Sequence, residues 1–181
     1  MDPIRPALWI AAGVSVAWLV AGDELTERDL TPTEAANLQA FLDVIAEGEG
    51  GPEGYHALVY GGRFENFEDH PYNTGEFPGV RRPDGRLTTA AGRYQITRTT
   101  WQDIGGRKRF GSFMPEAQDR AAVYLMRRRG ALPHVIAGEP EKAAYALRDE
   151  WEMFRQPQWT ADAVAARFAS LGGILMQGDA A

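Results

Sequence analysis

The chain has 181 residues, 44% hydrophobic and 24% charged, an ordinary globular composition that excludes a collagen-like, coiled-coil or wholly disordered chain. Nineteen Lys and Arg against 25 Asp and Glu leave a net charge of −6, and such a chain lacks the basic field that nucleic-acid binding requires. There is no cysteine and the only histidines are His56, His70 and His134, so disulfide frameworks, Cys-based zinc sites and Cys nucleophiles are excluded, and neither a metal nor a cofactor is expected.

The first predicted element is the uncharged run Ala7 to Gly22 (ALWIAAGVSVAWLVAG), preceded by Arg5 and followed by Asp23 and Glu24. As a helix it spans about 24 Å against a hydrocarbon core of roughly 30 Å, and its many Ala and Gly contribute little transfer free energy. Three readings stand: a cleaved secretory signal processed at Ala21 and Gly22, an uncleaved signal anchor whose retention is marginal, or a buried helix of a soluble domain. Arg5 before the run and acids after it suit an N-in orientation, and the run has no polar face to mark it as a helix of the soluble domain. Residues 1–22 are therefore expected to be a signal anchor or signal peptide, 23–30 a polar linker and 31–181 a single domain.

Thr31-Pro32-Thr33-Glu34 carries a helix start, with Thr31 as N-cap, Pro32 at the first helical position and Glu34 closing a capping box. Ala35, Leu38, Phe41, Leu42 and Ile45 recur at helical spacing, and Gly48 to Gly51 end the helix with Glu49 among them. Tyr55 to Tyr60 and Arg63 to Phe67 flank Gly61-Gly62, which predicts a two-residue hairpin. Residues 71–92, rich in Gly and Pro, predict a long loop of the kind associated with function. Helices are then expected from Met114-Pro115-Glu116 through Arg129, from Pro140 to about Met153, and from a Thr160 cap to Gly172-Gly173. Helix, hairpin, loop and several helices make an α+β domain with its sheet on one side.

Among the carboxylates, Glu49 stands at the carboxyl end of a helix where a small sheet and a helical lobe would form a cleft. The negative end of the helix dipole disfavours an ionised carboxylate there, and a raised pKa suits a general acid for a weakly basic glycosidic oxygen. From position alone, Glu47 and Glu49 read first as solvated charges at a helix end. His56 fits a half-exposed strand position, and His70 before Pro71 fits a turn. Ala91-Gly92-Arg93-Tyr94-Gln95 combines an aromatic and an amide suited to a sugar, although Tyr94 also fits a core. Arg127-Arg128-Arg129 reads as a solvated helix end, or as a patch drawn to anionic wall polymer or lipid head groups. Gly-x-Ser-x-Gly, Walker and His-Glu-x-x-His motifs are absent, which removes the best evidence for serine hydrolases, P-loop NTPases and zincins.

Taken together, AFLDVIAEGEG (Ala40 to Gly50), FENFEDHP (Phe64 to Pro71), AAGRYQ (Ala90 to Gln95), PEAQD (Pro115 to Asp119) and RGAL (Arg129 to Leu132) resemble the bacteriophage lambda endolysin family in order and approximate spacing. The resemblance covers about Gln39 to Trp151 and implies a lysozyme-like fold, mainly helical with a small antiparallel hairpin beside a cleft. It implies a lytic transglycosylase that cuts the MurNAc–GlcNAc bond of peptidoglycan and leaves a 1,6-anhydro end, for lysis of the host cell. By resemblance Glu49 is the catalytic acid. Tyr94 and Gln95 would line the glycan groove, Asp69-His70-Pro71 would shape its hairpin side, and Tyr55 and His56 would face substrate. His56 departs from the family, which carries an acidic residue after the hairpin Tyr, and the segment after Trp151 lacks the family's Gly-rich stretch.

The N-terminal run resembles the segments of signal-anchor-release endolysins, which host secretion machinery exports, the inner membrane holds and depolarisation frees into the periplasm. The expected partners are thus glycan strands, the inner membrane through residues 7–22 and the secretion machinery, with no nucleic acid and a monomeric state. Two-carboxylate lysozymes of the phage T4 type would need an acid at position 58, which is Leu58. A transglycosylase needs only Glu49. The alternatives are a hydrolytic muramidase pairing Glu49 with Asp69, Glu65 or Glu53, and an inactive membrane-tethered wall-binding module.

Overall fold

The computed structural model describes residues 30–176; the membrane-directed segment expected at 1–22 and all but the last residue of the linker expected at 23–30 lie outside the described residues. Helix α1 (Pro32–Glu49) begins as its local chemistry dictates. The Thr31 hydroxyl accepts the Glu34 amide at 3.3 Å, and the Glu34 carboxylate accepts the Thr31 amide at 2.8 Å, closing the capping box. Leu38, Phe41, Leu42 and Ile45 are buried, as their spacing predicts. Among the described residues no helix is long and apolar enough to cross a membrane.

The segment expected as a hairpin around Gly61-Gly62 is not a ladder. Tyr55 and His56 belong to a 3₁₀ turn (Gly54–His56), and only Ala57 and Arg63 form a bridge. The amides of Glu65 and Asn66 turn instead to the Glu76 carboxylate, at 2.7 and 2.9 Å, which diverts the donors a longer ladder would need. The two-stranded antiparallel sheet lies within the expected loop, where β1 (Val80–Arg81) pairs with β2 (Leu87–Thr88), Val80 opposite Thr88 and Arg81 opposite Leu87.

Short helices α2 (Arg98–Asp103) and α3 (Gly106–Phe110) follow, then α4 (Pro115–Arg128), α5 (Leu132–Ala137), α6 (Pro140–Leu147) and α7 (Ala161–Ser170). Helix α6 stops well before the expected Met153. The cause is Glu150, 7% exposed at its side chain, whose carboxylate receives both Arg128 and Arg129 from the end of α4, at 3.3 and 2.7 Å, and so turns the chain. A 3₁₀ segment, Glu152–Arg155, comes next. Two of the three arginines expected at a solvated helix end thus hold an interior carboxylate.

Helix α1 packs on α5 and α7, and α6 on those same two helices, around Phe41, Ile45, Leu147, Val164 and Phe168. The loop-rich lobe has little sheet to hold it. It is organised instead by an aromatic cluster in which Phe113 meets Phe64, His70 and Trp101 with centroids 5.8, 5.0 and 5.0 Å away, while Phe67 meets Phe64 at 5.0 Å. The whole is the α+β, mainly helical arrangement with one small antiparallel sheet that the sequence predicts.

Candidate active site

Glu49 is the last helical residue of α1, and the helix is closed by the Gly50 amide donating to the Ala46 carbonyl at 2.8 Å. Gly50 is required by close approach, since a Cβ there would lie 2.9 Å from the Arg93 carbonyl oxygen. That contact places the Gly92–Gln95 loop against the helix end. On the other side the Met153 amide donates to Glu49 Oε1 at 3.1 Å. Half-buried between these two walls, Glu49 has its pKa raised, first by burial and also by the negative charge of Glu152, while the Met153 hydrogen bond works against both. The site thus offers a carboxyl that keeps its proton above the usual range.

The loop wall is fixed by a buried polar network. Asp119, on α4, accepts the hydroxyls of Tyr94 at 2.6 Å and Tyr55 at 2.8 Å. The neighbouring Gln118 accepts the Arg93 amide at 2.9 Å and donates to the carbonyls of Tyr55 and Phe113 at 3.0 and 2.9 Å. Arg93 pairs with Asp43 of α1 and lies over the Tyr55 and Tyr94 rings, 5.2 and 5.8 Å from their centroids. Gly92, at φ +77°, has no room for a side chain because a Cβ would overlap the Gln118 amide. The motifs AAGRYQ and PEAQD therefore recognise one another, and α1 joins them through Asp43.

Several sequence-predicted site residues take different places from those expected. Tyr94 is 1% exposed with its hydroxyl on Asp119 and its carbonyl accepting the Trp151 indole at 2.9 Å, so it belongs to the core and cannot line a groove. Asp69 has both oxygens engaged within the fold. Oδ1 accepts the His70 amide and the Trp101 indole, each at 2.7 Å, and Oδ2 accepts Asn73 at 3.0 Å, so it holds the loop. His70 fixes that loop as its turn position suggests. It is fully buried, its Nε2 donates to the Ile96 carbonyl at 3.0 Å, and its Nδ1 accepts the Tyr72 amide at 3.2 Å; burial lowers its pKa to about 4.

Tyr55, His56 and Gln95 are partly exposed. His56 meets the Phe64 carbonyl through Nδ1 at 2.8 Å and packs 4.7 Å from the Phe67 ring, while Gln95, at φ +48°, donates to the Gly92 carbonyl at 2.9 Å. Asp43, Arg93, Gln118, Asp119, Glu152 and Met153 were not singled out as site residues from the sequence. For Asp43, Arg93, Gln118 and Asp119 a signal existed, since they lie within three of the quoted motifs. For Glu152 and Met153 none did, because their proximity to Glu49 arises only from the turn that Glu150 imposes.

The comparisons with known proteins agree with this geometry. A family model described as Endolysin matches residues 39–175. The endolysin of Escherichia phage P2 is 35% identical over 127 residues, covering 64% of this chain and 77% of that protein. The endolysin of Escherichia phage lambda is 30% identical over 156 residues, covering 78% of this chain and 94% of that protein. Among solved structures, the lysozyme from bacteriophage lambda superimposes with a TM-score of 0.66 at 28% identity, covering 77% of this chain and 96% of that one. The lambda lysozyme complexed with a chitohexasaccharide gives 0.64 at 29%, with the same coverage.

Proposed function

The chain belongs to the endolysin family, and from that premise we propose that it cleaves the MurNAc–GlcNAc β-1,4 bond as a lytic transglycosylase with Glu49 as its one acid–base group. As a phage endolysin with the lambda lysozyme fold it is a peptidoglycan-cleaving glycosidase. The finer reading rests chiefly on the engagement of the other carboxylates. Glu53 and Glu65 both pair with Arg63, each at 2.7 Å, and Asp69 is held by Trp101, His70 and Asn73. Of the three candidates for a second hydrolytic carboxylate, Asp69 has both oxygens committed to holding its own loop, while Glu53 and Glu65 share the exposed Arg63.

In the proposed reaction the Glu49 carboxylic acid protonates the leaving glycosidic oxygen. The resulting carboxylate then accepts the proton of the MurNAc 6-hydroxyl as that oxygen attacks C1, which closes the 1,6-anhydro ring and regenerates the acid. The attack is intramolecular, so orientation of the sugar replaces activation of water. The chitohexasaccharide held by the lambda lysozyme supports a glycan as the ligand here, with the partly exposed Tyr55, His56 and Gln95 as candidate contacts.

A hydrolytic reading has one observation in its favour, the charge of Glu152 acting on Glu49. Digestion of sacculi in ¹⁸O-labelled water separates the two. Transglycosylation gives anhydro ends with no label, and Glu152→Gln retains activity within about fivefold. One labelled oxygen per cut, with a loss of about 10²-fold or more in Glu152→Gln, would establish hydrolysis instead.

We also propose that residues 7–22 act as a releasable signal anchor, which puts the enzyme first at the inner membrane and then in the periplasm. The marginal hydrophobicity of the run supports this reading. Cells expressing the chain, fractionated before and after collapse of the membrane potential, should show a full-length species moving from membrane to periplasm. A truncated soluble species before depolarisation would mean ordinary secretion.

A further inference from the structure

The hairpin formed by β1 and β2 is not used by the proposed reaction, and its own stability does not explain it. Two-residue strands are marginal in water, and Val80, Arg81 and Leu87 are all exposed. In a chain of net charge −6 the hairpin is cationic, with Arg81, Arg82 and Arg86 against Asp84. Arg86 is held by Asp84 at 2.8 Å and Arg82 pairs with Glu152 at 3.3 Å. Arg81 donates to the Gly85 carbonyl at 2.8 Å and has no carboxylate partner among the described residues.

Several basic groups elsewhere are occupied differently. Arg128 and Arg129 converge on Glu150, Arg107 pairs with Glu68 at 2.9 Å, and Arg109 lies over the Tyr124 ring. The hairpin is also tied to the catalytic acid, because Arg82 holds Glu152 and the next residue, Met153, donates its amide to Glu49. The Arg82–Glu152 pair is solvent-exposed, 39% and 65% at the two side chains, so it is screened and readily exchanged.

We propose that this hairpin binds the carboxylates of the peptide branches on the wall glycan, Arg81 as the primary contact and Arg82 exchanging Glu152 for the branch, so that peptide-bearing strands are cut in preference to bare ones. The inference rests on the reading of the chain as a peptidoglycan-cleaving glycosidase. The branch is carried by the MurNAc whose bond is cut, so it stands beside the scissile bond, and the hairpin is two contacts from Glu49. The planar guanidinium fork matches a carboxylate, and the exposed Val80 and Leu87 offer apolar contact to the branch's alanine methyls.

The test compares kcat/KM of the full chain on two substrates from the same sacculi, peptide-bearing glycan strands and strands stripped by an amidase. The ratio of the two should favour peptide-bearing strands in the wild type. It should fall about tenfold in Arg81→Glu and about threefold in Arg81→Gln, mainly through KM. An unchanged ratio, or an equal loss on both substrates, overturns the proposal. So does weakened binding to phosphatidylglycerol vesicles with the ratio intact, which would assign the charge to a membrane. Failure of the catalytic reading is distinguishable, because it would appear as cleavage of both strands that persists in Glu49→Gln.

Discussion

At Glu49, burial and the charge of Glu152 both favour the proton, and together they outweigh the single amide from Met153. Glu49→Gln keeps the shape but neither gives nor retrieves a proton, so lysis of sacculi should fall by about 10³- to 10⁴-fold. Its effect on stability has a definite sign. Between the ordinary glutamate value of 4.5 and the raised value, the folded state holds a proton that the unfolded chain has lost, so the wild type loses stability as pH rises through that window. The amide variant should therefore melt at or above the wild-type temperature at pH 7, with the advantage gone below pH 4.5. Calorimetry at the two pH values checks this. The place of Glu49 at the end of α1 was legible in the sequence because a helix end announces itself locally. The burial of Tyr94 was legible only as one of two readings, because a Tyr between Arg and Gln fits a sugar-facing wall as well as a core until Asp119 arrives from a helix 25 positions away.

The latch between the Gly92–Gln95 loop and α4 is the element on which the loop wall depends. Removing the acceptor by Asp119→Ala leaves the buried Tyr94 phenol and the half-buried Tyr55 phenol unpaired, at about 1–3 kcal/mol each. Chemical denaturation should show a loss of about 2–5 kcal/mol, against about 1 kcal/mol for Tyr55→Phe, which removes one donor of the pair. Elements defined by local chemistry, such as α1, α4 and α7 with their Thr or Pro starts, could be read from the sequence. Helices α2, α3 and α5 have six, five and six residues, below the length at which periodicity speaks, and they exist because tertiary packing holds them. The sheet was misplaced for a related reason. Gly61-Gly62 is a valid turn signal, but Glu76 captures the amides beyond it, and a side chain ten residues away leaves no mark on a local pattern.

For the molecule as a whole, acid should act through His70. Its pKa falls from 6.5 to about 4, so between those values the unfolded chain binds a proton that the folded chain refuses, and stability declines as pH falls across the window. The contribution amounts to about 3 kcal/mol at most. Asp43, Glu49 and Asp119, all raised by burial, work in the opposite direction, so the His70 contribution is best isolated by difference. The gap in unfolding free energy between wild type and His70→Gln should narrow as pH drops from 7 to 4; a gap independent of pH would mean that His70 accepts its proton in place.

The buried Asn37 bears on covalent topology. Its side chain donates to the Ile136 carbonyl at 3.1 Å and accepts the Ile174 amide at 2.6 Å, while the Met176 amide reaches the Gly138 carbonyl at 2.9 Å. The last described residues are thus stitched beside the first two turns of α1, and Glu49 lies at that helix's far end, about 18 Å along the axis from Asn37. In a shortened chain of residues 30–176 a short Gly/Ser connection could join residue 176 to residue 30, with new termini opened at the exposed Gly61-Gly62 turn. Such a circular permutant would keep the Met153 and Arg93 contacts at the Glu49 end of α1, and whatever is fused at the new junction would stand at the other end of that helix.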